Sequence, residues 1–511
     1  MIGPAPGQWA ASAACWLSLV PIGARWLRVA QREHYLPGAA VRFAKRWWVG
    51  VRANVPLLVL GAACAGVSWW VPLVALGSAG LAFGPRGLPV RGRSSPLGLT
   101  RRLRTLAATW AAFEAGIVSA GAATGRPAFA SAVALVLAPA VVDLACLATA
   151  PLERHLASRH VERAAQRLRS VRPTIVGITG SYGKTSTKNY VAHLVRTTRS
   201  VVASPASFNN RAGLARAVNE HLADGTEVFV AEMGTYGRGE IAELCQWCPP
   251  EISVLTAIGP VHLERFGSED AIVEAKSEIT ETASVVVLNA DDQRLAKLAG
   301  ELEASRHLTV VRCSSTERGA DVYVGSGPTG LEVRIAGVAV QPDGPLPPGV
   351  HPTNLACALG VAVQLGVAPE VLRHRLADLP TVPHRVAVAT SPAGVRVIDD
   401  TFNSNPAGAR AALELLQASP GGGRRVVVTP GMIELGARQY EENRRFAQAV
   451  VERGFDLVVV GWTNRAALLS GARGAGVLSV RTREEAVRWV RQHLSAGDAV
   501  LYENDLPDHY P

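Results

Sequence analysis

A glycine turn separates a β-branched run from a helix-like segment between residues 174 and 195. The run reads TIVGIT, the turn GSYG and the helical segment KTSTKNYVAHLV. A turn between a strand and a helix binds anions, because the backbone N–H groups of the turn and of the helix N-terminus point towards the ligand. This stretch therefore predicts a phosphate-binding loop in an α/β domain.

The loop departs by one residue from the general phosphate-loop pattern. That pattern has its first glycine five positions before the glycine that precedes lysine, and here that position is Ile178. Lys184 is expected to contact the β- and γ-phosphates of a nucleotide, and the Thr185 hydroxyl is expected to ligate Mg²⁺. The other residues expected to bind the nucleotide here are Gly180, Ser181, Gly183 and Ser186.

The first 150 residues differ in composition from the rest of the chain. They hold 14 Lys and Arg against three acidic residues, a balance of +11, so the remaining residues carry −1 of the total +10. A nucleic-acid-binding protein would carry its basic face on the folded domain, so we expect a membrane as partner and no nucleic acid. Four apolar runs lie in this region, at residues 9–24, 53–83, 106–123 and 128–150.

The last of these runs is long enough to cross a bilayer, whose core of about 30 Å takes roughly 20 helical residues. A cleavable signal peptide would need a basic start, and no Lys or Arg precedes Arg25. We therefore interpret the runs as retained membrane helices. Glu114 and Asp143 would lie within them, where a charge marks either a functional pathway or a polar contact between helices.

The basic residues between the runs predict the topology. Residues 25–52 hold seven Lys and Arg and residues 84–104 hold six, and the positive-inside rule places such connections in the cytoplasm. The run 53–83 is then expected to be a re-entrant hairpin that turns at residues 69–72. Everything after residue 151 would lie in the cytoplasm. We therefore predict a multi-pass protein of the cell (inner) membrane with cytoplasmic catalytic domains.

Further motifs follow the loop in the order typical of one enzyme family. Together with TGSYGKTS they resemble the MurF-type branch of the Mur ligase family, the ATP-dependent amide ligases of peptidoglycan synthesis, over roughly residues 171 to 440. The motifs are FNNRAGLARAV (208–218), VFVAEMGTYGRGEIAEL (228–244), AIGPVHLERFGSEDAIVEAKSEI (257–279), VLNADD (287–292), VPHR (382–385) and VIDDTFNSNPAGARAAL (397–413).

Two of these motifs carry the expected metal chemistry. Glu232 ends the apolar strand VFVAE, which places a carboxylate at the edge of the sheet where ligands of open α/β sheets bind. Such a carboxylate can hold Mg²⁺. The resemblance implies that His262 assists a second Mg²⁺ and that Lys276 is carbamylated by CO₂, which turns a cation into a metal-binding anion. Asn209 and Asn210 resemble family residues near the donor site.

The resemblance also implies nucleotide contacts further along the chain. Arg385 in VPHR and Asp400 in DDTFN are similar to family residues that bracket the nucleotide from the C-terminal domain. Asn354 in HPTNLACALG resembles the adenine-contacting Asn of the family. The usual gap from the preceding His is four residues, and here Asn354 is three residues from His351.

The expected fold class is α/β, with N-terminal transmembrane helices, then a P-loop Mur-ligase central domain and a Rossmann-like C-terminal domain. The runs RVVVTPG and DLVVVG, with a helix-like segment between them, are typical of a parallel sheet in this last domain. The expected boundaries are 1–150 for the transmembrane helical region, 151–172 for a linker helix, 173–380 for the central ATP-binding domain and 381–511 for the C-terminal domain.

Two departures from the family pattern leave the substrates open. Membrane helices stand where such ligases normally begin with a soluble domain that grips a uridine nucleotide, so the donor could be a lipid-linked molecule. The chain also ends in VLYENDLPDHYP, without the KGSR-like segment that helps to hold the acceptor. Glu503, Asp505 and Asp508 could meet a basic amine, or they could simply form an acidic tail.

The resemblance implies an ATP-dependent carboxylate–amine ligase that forms an acyl phosphate, with ATP, two Mg²⁺ and a carbamylated lysine as cofactors. A carboxylate donor and an amino-acid or dipeptide acceptor would be its substrates. One alternative is a ligase resembling the membrane-associated poly-γ-glutamate synthases, which would share the catalytic residues. Another alternative is a membrane P-loop ATPase, which Glu232, His262 and Lys276 do not favour. The last is an inactive scaffold, which would be expected to have lost Lys184 or Glu232, and both are present.

Overall fold

The computed structural model describes residues 6–66, 71–90, 97–304, 308–327, 330–347, 349–380, 387–402, 405–473 and 476–511. It divides into two compact units. The first consists of Met1–Leu156 together with the C-terminal tail, Leu506–Pro511, and the second consists of Ala157–Asp505. The end of the chain therefore belongs to the same unit as the N-terminal helices.

The first unit is helical. Its apolar runs are long Ala- and Leu-rich segments without the alternation of a half-buried strand, and such segments favour helices. A π-helical segment (Arg46–Gly50) and a 3₁₀ turn (Arg52–Asn54) also occur in it. The helices are α1 (Pro6–Arg32), α2 (Ala39–Lys45), α3 (Val55–Gly66), α4 (Val71–Phe83), α5 (Arg101–Ala123) and α6 (Pro127–Val171).

Within the described residues, three helical stretches are long and apolar enough to cross a membrane, judged by length and composition: Gly7–Arg32, Arg101–Ala123 and Pro127–Val171. The apolar run 53–83 forms the two shorter helices α3 and α4, which pack against each other. The re-entrant hairpin expected for this run remains a prediction. The first two residues of the predicted turn, 69 and 70, lie in the gap at 67–70 and so outside the described residues.

Asp143 on α6 accepts hydrogen bonds from the backbone N–H groups of Ala40 (3.1 Å) and Val41 (2.9 Å). These groups belong to the first turn of α2, whose N–H groups have no partner within the helix. A carboxylate there also meets the positive end of the helix dipole. The position of Asp143 therefore favours the interpretation as a polar contact between helices. Glu114 on α5 is buried as well.

Helix α6 runs for 45 residues and contains both Pro139 and Pro151. The linker helix predicted for residues 151–172 is thus the end of a longer helix. From Ala157 onwards α6 belongs to the second unit. Its residues Val161, Ala164 and Leu168 pack into a core cluster of that unit.

The second unit begins with a large sheet. Its strands are β1 (Thr174–Thr179), β2 (Val201–Ala203), β3 (Val228–Glu232), β4 (Ile252–Leu255), β5 (Val285–Asn289), β6 (Thr309–Ser314), β7 (Val322–Gly327), β8 (Gly330–Ile335) and β9 (Val338–Ala339). They lie in the order β2-β3-β1-β4-β5-β6-β7-β8-β9, parallel as far as β7 and antiparallel beyond it. Val- and Ile-rich runs such as β3 and β5 are expected in parallel strands that are buried on both faces.

Eight helices accompany this sheet in the described residues and cover its faces, as crossover connections between parallel strands require. They are α7 (Lys184–Val195), α8 (Arg211–His221), α9 (Glu240–Trp247), α10 (Leu263–Phe266), α11 (Glu269–Ser277), α12 (Gln293–Ala304), α13 (Pro352–Gln364) and α14 (Pro369–Arg375).

A second sheet follows in the same unit, with strands β10 (Ala387–Thr390), β11 (Arg396–Asp400), β12 (Arg425–Thr429), β13 (Asp456–Val460), β14 (Val477–Val480) and β15 (Ala499–Glu503). Their order is β10-β11-β15-β12-β13-β14, and only the pairing of β10 with β11 is antiparallel in the described residues. The predicted α/β class is therefore confirmed. The helices of this part are α15 (Pro406–Gln417), α16 (Gln439–Glu452), α17 (Arg465–Gly471) and α18 (Arg483–His493).

The pairing of β1 with β3 and β4 positions the candidate site. Ile178 lies opposite Glu232 of β3, and Thr179 lies opposite Leu255 of β4. Because these strands are parallel neighbours, their carboxyl ends meet at one edge of the sheet. Ligands of open α/β sheets bind outside this edge.

Candidate active site

The segment between β1 and α7 has the backbone of a phosphate-binding loop. Gly180 and Gly183 have φ angles of 149° and 80°, a region that favours glycine. A Cβ atom on Gly180 would lie 2.0 Å from Oγ1 of Thr256, so no larger residue fits. The Ser181 N–H donates to the carbonyl oxygen of Ala257 at 2.7 Å. The loop is therefore fixed against the segment that follows β4.

Lys184, the first residue of α7, has its Nζ atom 2.6 Å from the carbonyl oxygen of Gly180. The ammonium group thus lies along the loop, close to where the phosphates of a bound nucleotide are predicted to lie. Thr185 and Ser186 follow in the first helical turn. A helix N-terminus and a lysine around a glycine turn together form an anion-binding site.

Glu232 lies at the centre of a buried polar cluster next to this loop and is 1% exposed. Its Oε2 atom accepts hydrogen bonds from the Thr185 hydroxyl at 3.0 Å and from Nζ of Lys188 at 3.1 Å. Its Oε1 atom accepts from Nδ2 of Asn209 at 3.1 Å. Burial alone would raise the pKa of this carboxyl. The cations of Lys188 and Lys184, together with the hydrogen bonds from Asn209 and Lys188, outweigh burial and hold that pKa below its ordinary value.

Lys188 is a site residue that the sequence analysis missed. It is 2% exposed, and besides Glu232 it donates to the carbonyl oxygen of Ala206 at 2.6 Å. The available signal was its position four residues after Lys184, which puts both lysines on one face of α7. A lysine in a polar helical segment is usually solvated, and only the fold brings this one against a carboxylate.

The Thr185 hydroxyl and the Glu232 carboxylate fit a Mg²⁺ ion. Mg²⁺ prefers oxygen ligands and is usually held by one or two carboxylates, substrate phosphates and water. The described part of the chain has no group of three or more His, Cys, Asp or Glu side chains that could hold a metal alone. Thr185 and Glu232 therefore remain candidate ligands of a Mg²⁺ ion.

His262 precedes α10 and has a φ angle of 61°. Its Nδ1 atom is hydrogen-bonded to Oε2 of Glu434, a residue of the segment after β12. The edge of its ring meets Tyr236, with 4.9 Å between the ring centroids. Burial lowers the pKa of His262, although the Glu434 carboxylate acts in the opposite direction. Glu434 is the second site residue that the sequence analysis missed.

Lys276 lies in the last turn of α11 and is 2% exposed. Burial, with a smaller effect of the Lys184 cation, holds its pKa well below the ordinary value of a lysine. Among the described residues no carboxylate forms an ion pair with it. Burial thus favours the neutral form of this amine, the form that can act as a nucleophile.

The predicted nucleotide contacts have different outcomes. Asn354 lies at the start of α13 against the phosphate loop, because a Cβ atom on Gly183 would come within 2.1 Å of its Oδ1 atom. Asp400 ends β11 and is buried. Arg385 lies outside the described residues, in the gap at 381–386. The expected adenine contact of Asn354 remains a prediction.

Asp400 is paired in register with Glu503 of β15. Burial raises the pKa of Glu503 to about 8; the hydrogen bond from Thr429 opposes this effect and the Asp400 carboxylate adds to it. Asp505 forms an ion pair with Arg483. The acidic residues of the C-terminal segment thus already have partners within the protein, which favours a structural role for them over contact with a basic amine.

Comparisons with known proteins agree with this geometry. Residues 178–362 match the Mur ligase middle domain, and residues 384–502 match the glutamate ligase domain of Mur ligases. The chain is 34% identical over 366 residues to the UDP-N-acetylmuramoyl-tripeptide–D-alanyl-D-alanine ligase of Mycobacterium tuberculosis (strain H37Rv), an alignment that covers 64% of this chain and 69% of that protein. It is 26% identical over 336 residues to the Bacillus subtilis enzyme of the same name, covering 64% and 72%.

Solved structures show the same similarity. MurF of Thermotoga maritima in complex with ADP has a TM-score of 0.59 at 28% identity, covering 68% of this chain and 80% of that one. MurF of Acinetobacter baumannii shares the fold, with a TM-score of 0.58 at 23% identity over 68% and 77% of the two chains. Residues 1–177 and 503–511 lie outside both family matches. From the loop to the end of β15, the chain belongs to the Mur ligase family, the ATP-dependent amide ligases of cell-wall synthesis.

Proposed function

We propose that this ligase is anchored in the membrane and joins the carboxylate of an envelope precursor to the amine of an amino acid or dipeptide. The main support is the ionised Glu232 carboxylate, held by Thr185, Lys188 and Asn209 beside Lys184. The relatives are named for a UDP-N-acetylmuramoyl-tripeptide and D-alanyl-D-alanine. A donor and an acceptor of this chemical class are therefore the first candidates.

The reaction would proceed in two steps. The donor carboxylate attacks the γ-phosphorus of ATP, the bond to the β-phosphate oxygen breaks, and an acyl phosphate and ADP form. The acceptor amine then attacks the acyl carbon, loses a proton to solvent and expels inorganic phosphate from the tetrahedral intermediate. No side chain of the protein needs to act as nucleophile, so catalysis would consist of positioning and charge stabilisation.

The protein side chains would divide this work. Lys184 would neutralise charge on the transferred phosphoryl group, while Thr185 and Glu232 would hold one Mg²⁺ and His262 and Lys276 a second. Bound Mg²⁺ supplies Lewis-acid stabilisation of the phosphoryl oxygens. Lys188 would keep Glu232 ionised, and Asn209 would fix the orientation of its carboxylate.

Carbamylation of Lys276 is part of the proposal. A neutral, buried amine can add to CO₂ and lose a proton, which gives a carbamate anion suited to a hard cation. Replacing Lys276 with Ala should abolish ligase activity, and a short carboxylic acid should restore part of it by occupying the position of the carbamate. Full activity of Lys276→Ala would exclude the role, as would an activity that does not respond to bicarbonate in the wild type.

A membrane location is supported by the three apolar helical stretches and by the basic balance of the first 150 residues. The proposal places the ligase part in the cytoplasm, where ATP is available, and the helices in the cell (inner) membrane in several passes. A lipid-linked donor would then be within reach at the bilayer surface. Fractionation of cells that express the full chain, with a carbonate wash to remove peripheral proteins, tests the location.

A ligase of the poly-γ-glutamate synthase type is the alternative for the same site. The supporting observation is the end of β15 and the residues after it, where Glu503 is buried in register with Asp400 and the sequence YENDLPDHYP does not resemble the family's acceptor-binding segment. Such an enzyme would use the same catalytic residues with a different amine. Only the choice of acceptor separates the two proposals.

The test is nucleotide turnover by the full-length protein in detergent or in native membranes. ADP release should require both a carboxylate donor and an amine, and Lys184→Ala should abolish it. D-alanyl-D-alanine with UDP-N-acetylmuramoyl-tripeptide, or glutamate with a glutamyl peptide, would identify the acceptor class. Rapid ADP release with neither substrate would favour a membrane ATPase instead.

A further inference from the structure

The contact between His262 and Glu434 joins the two sheets of the second unit at the candidate site. His262 follows β4 of the first sheet, and Glu434 follows β12 of the second. We infer that Glu434 is a positioning residue, which reaches His262 from the segment after β12 and orients its imidazole for metal binding. This inference rests on the proposed role of His262 at a second Mg²⁺.

The hydrogen bond determines which nitrogen of His262 is available. Glu434 Oε2 lies against Nδ1, and a carboxylate at this nitrogen favours the tautomer with the proton on Nδ1. The lone pair is then on Nε2, the arrangement in which a carboxylate supports a metal-binding histidine. From the described residues, no hydrogen bond reaches Nε2. The imidazole is thus oriented but still has a free ligand atom.

Further contacts hold Glu434 and His262 in place. Oε1 of Glu434 lies 3.6 Å from Nη2 of Arg265, so each carboxylate oxygen faces a different partner. The guanidinium of Arg265 lies over the ring of Tyr236, 4.6 Å from its centroid, and Tyr236 contacts His262. Three side chains from three segments therefore form the surroundings of the imidazole.

The backbone at both ends of the contact is unusual. His262 and Glu434 have φ angles of 61° and 63°, in the left-handed region that few residues other than glycine adopt. Such a conformation costs of order 1–3 kcal/mol and persists where the surroundings impose it, often at functional sites. Two residues in this conformation are joined here by one hydrogen bond, which is consistent with a functional role for the contact.

A second contact between the same two segments serves as a control. Arg438 forms an ion pair with Glu269 at 2.8 Å and does not touch His262. Replacing Arg438 with Ala removes a link between the two parts of the ligase but leaves the imidazole with its carboxylate. Glu434→Gln removes the carboxylate and retains the size of the side chain. The two variants therefore distinguish an effect on the orientation of His262 from an effect on the contact between the two parts of the ligase.

The experiment is a Mn²⁺ titration of the full-length protein with a non-hydrolysable ATP analogue, followed by electron paramagnetic resonance. The wild type should bind two Mn²⁺ ions. Glu434→Gln should weaken the second ion by about 10- to 100-fold, the usual effect of losing a carboxylate behind a metal-binding histidine. Affinity for the first ion and for the nucleotide should not change. Glu434→Asp, which keeps the charge, should recover part of the second affinity, and Arg438→Ala should keep all of it.

Each result has a separate meaning. Wild-type affinity for both ions in Glu434→Gln would overturn the inference and leave the proposed ligase reaction intact. An equal loss in Glu434→Gln and Arg438→Ala would also overturn it, since Glu434 would then act only as a domain contact. A wild-type protein that binds a single Mn²⁺ would remove the second-metal role of His262, and the inference with it. Thermal unfolding of each variant checks that the fold is retained.

Discussion

Arg28 on α1 and Asp508 in the C-terminal tail form a buried ion pair, with 2.6 Å between Nη2 and Oδ2. Beside it, Nε2 of His509 lies 2.9 Å from Oε1 of Glu33. Nε1 of Trp47 donates to the carbonyl oxygen of His509 at 2.8 Å. The tail is therefore held by side chains of the N-terminal helices through one ion pair, one hydrogen bond to a histidine ring and one hydrogen bond to the backbone.

Both sides of these contacts come from residues outside the family matches, which begin at 178 and end at 502. The helical unit and the tail are thus two departures from the family that occur together in one structural unit. A buried ion pair is stable only while both charges are present, because each one alone would pay its full cost of desolvation. The tail and the helices are consequently expected to depend on each other.

Asp508→Asn tests this dependence. We expect it to lower the free energy of unfolding of the first unit by about 3–5 kcal/mol, because the buried guanidinium of Arg28 loses the carboxylate that pairs with it. Asp505→Asn is the matched control, since its partner Arg483 is exposed, and an exposed pair contributes only about 0–1 kcal/mol. Denaturant unfolding of the full-length protein in detergent, followed by tryptophan fluorescence, measures both. Equal effects would contradict the argument.

His509 predicts a pH dependence of the same unit. Burial lowers its pKa; Glu33 opposes this effect, and Arg32 and Arg28 add to it. The unfolded state then binds the proton more readily than the folded state, so the stabilisation is complete above the unfolded pKa of about 6.5 and is lost as the pH falls below it. We expect weaker stability at a pH of about 5 than at about 7. His509→Gln should flatten this dependence, whereas His493→Gln, on exposed α18, should not.

Lys188 predicts a pH effect on the reaction. Lys188→Met removes a cation that lowers the pKa of Glu232, so that pKa should rise. A carboxyl with a higher pKa is protonated at a higher pH. The acid limb of kcat/KM for ATP should therefore move to higher pH. The free energy of unfolding should also fall by about 3–5 kcal/mol, because the buried Glu232 carboxylate loses the cation that pairs with it. A pH–rate profile and denaturant unfolding measure the two effects.

The control for Lys188 is Lys297→Met. Lys297 pairs with Glu301 on the exposed surface of α12, and such i,i+4 pairs contribute about 0.3–0.5 kcal/mol. Its pH–rate profile should match that of the wild type. An acid limb that stays in place in Lys188→Met would show that Lys188 does not control the ionisation of Glu232.

The local parts of the site follow from local sequence. The phosphate loop, the strand that ends in Glu232 and the parallel strands of both sheets are recognisable because β-branched runs, glycine turns and helix starts lie within about 20 residues of one another. The contacts of His262 with Glu434 and of Arg28 with Asp508 join residues 172 and 480 positions apart. No periodicity relates such distant residues, so only the folded chain reveals these pairs.

Gly183 and Gly239 share a backbone conformation, with φ angles of 80° and 84°, but differ in the space around them. A Cβ atom on Gly183 would lie 2.1 Å from Oδ1 of Asn354, whereas one on Gly239 would meet nothing within 4 Å. Replacement by Ala carries the same left-handed cost of about 1–2 kcal/mol at both positions. Any further effect at Gly183 therefore comes from the contact with Asn354.

We expect Gly183→Ala to weaken ATP binding by about tenfold or more relative to Gly239→Ala. The new methyl group must displace the Asn354 amide or the loop, and a loss of only about 1.4 kcal/mol of binding free energy is a tenfold loss of affinity. The double variant Gly183→Ala/Asn354→Ala lacks the oxygen that clashes with the new methyl group. It should therefore recover part of the ATP affinity that Gly183→Ala loses. Asn354→Ala alone shows how much its amide contributes to nucleotide binding. Isothermal titration with ATP compares the four proteins. Equal affinities of Gly183→Ala and Gly239→Ala would mean that the close approach of Asn354 to the loop does not shape the nucleotide site.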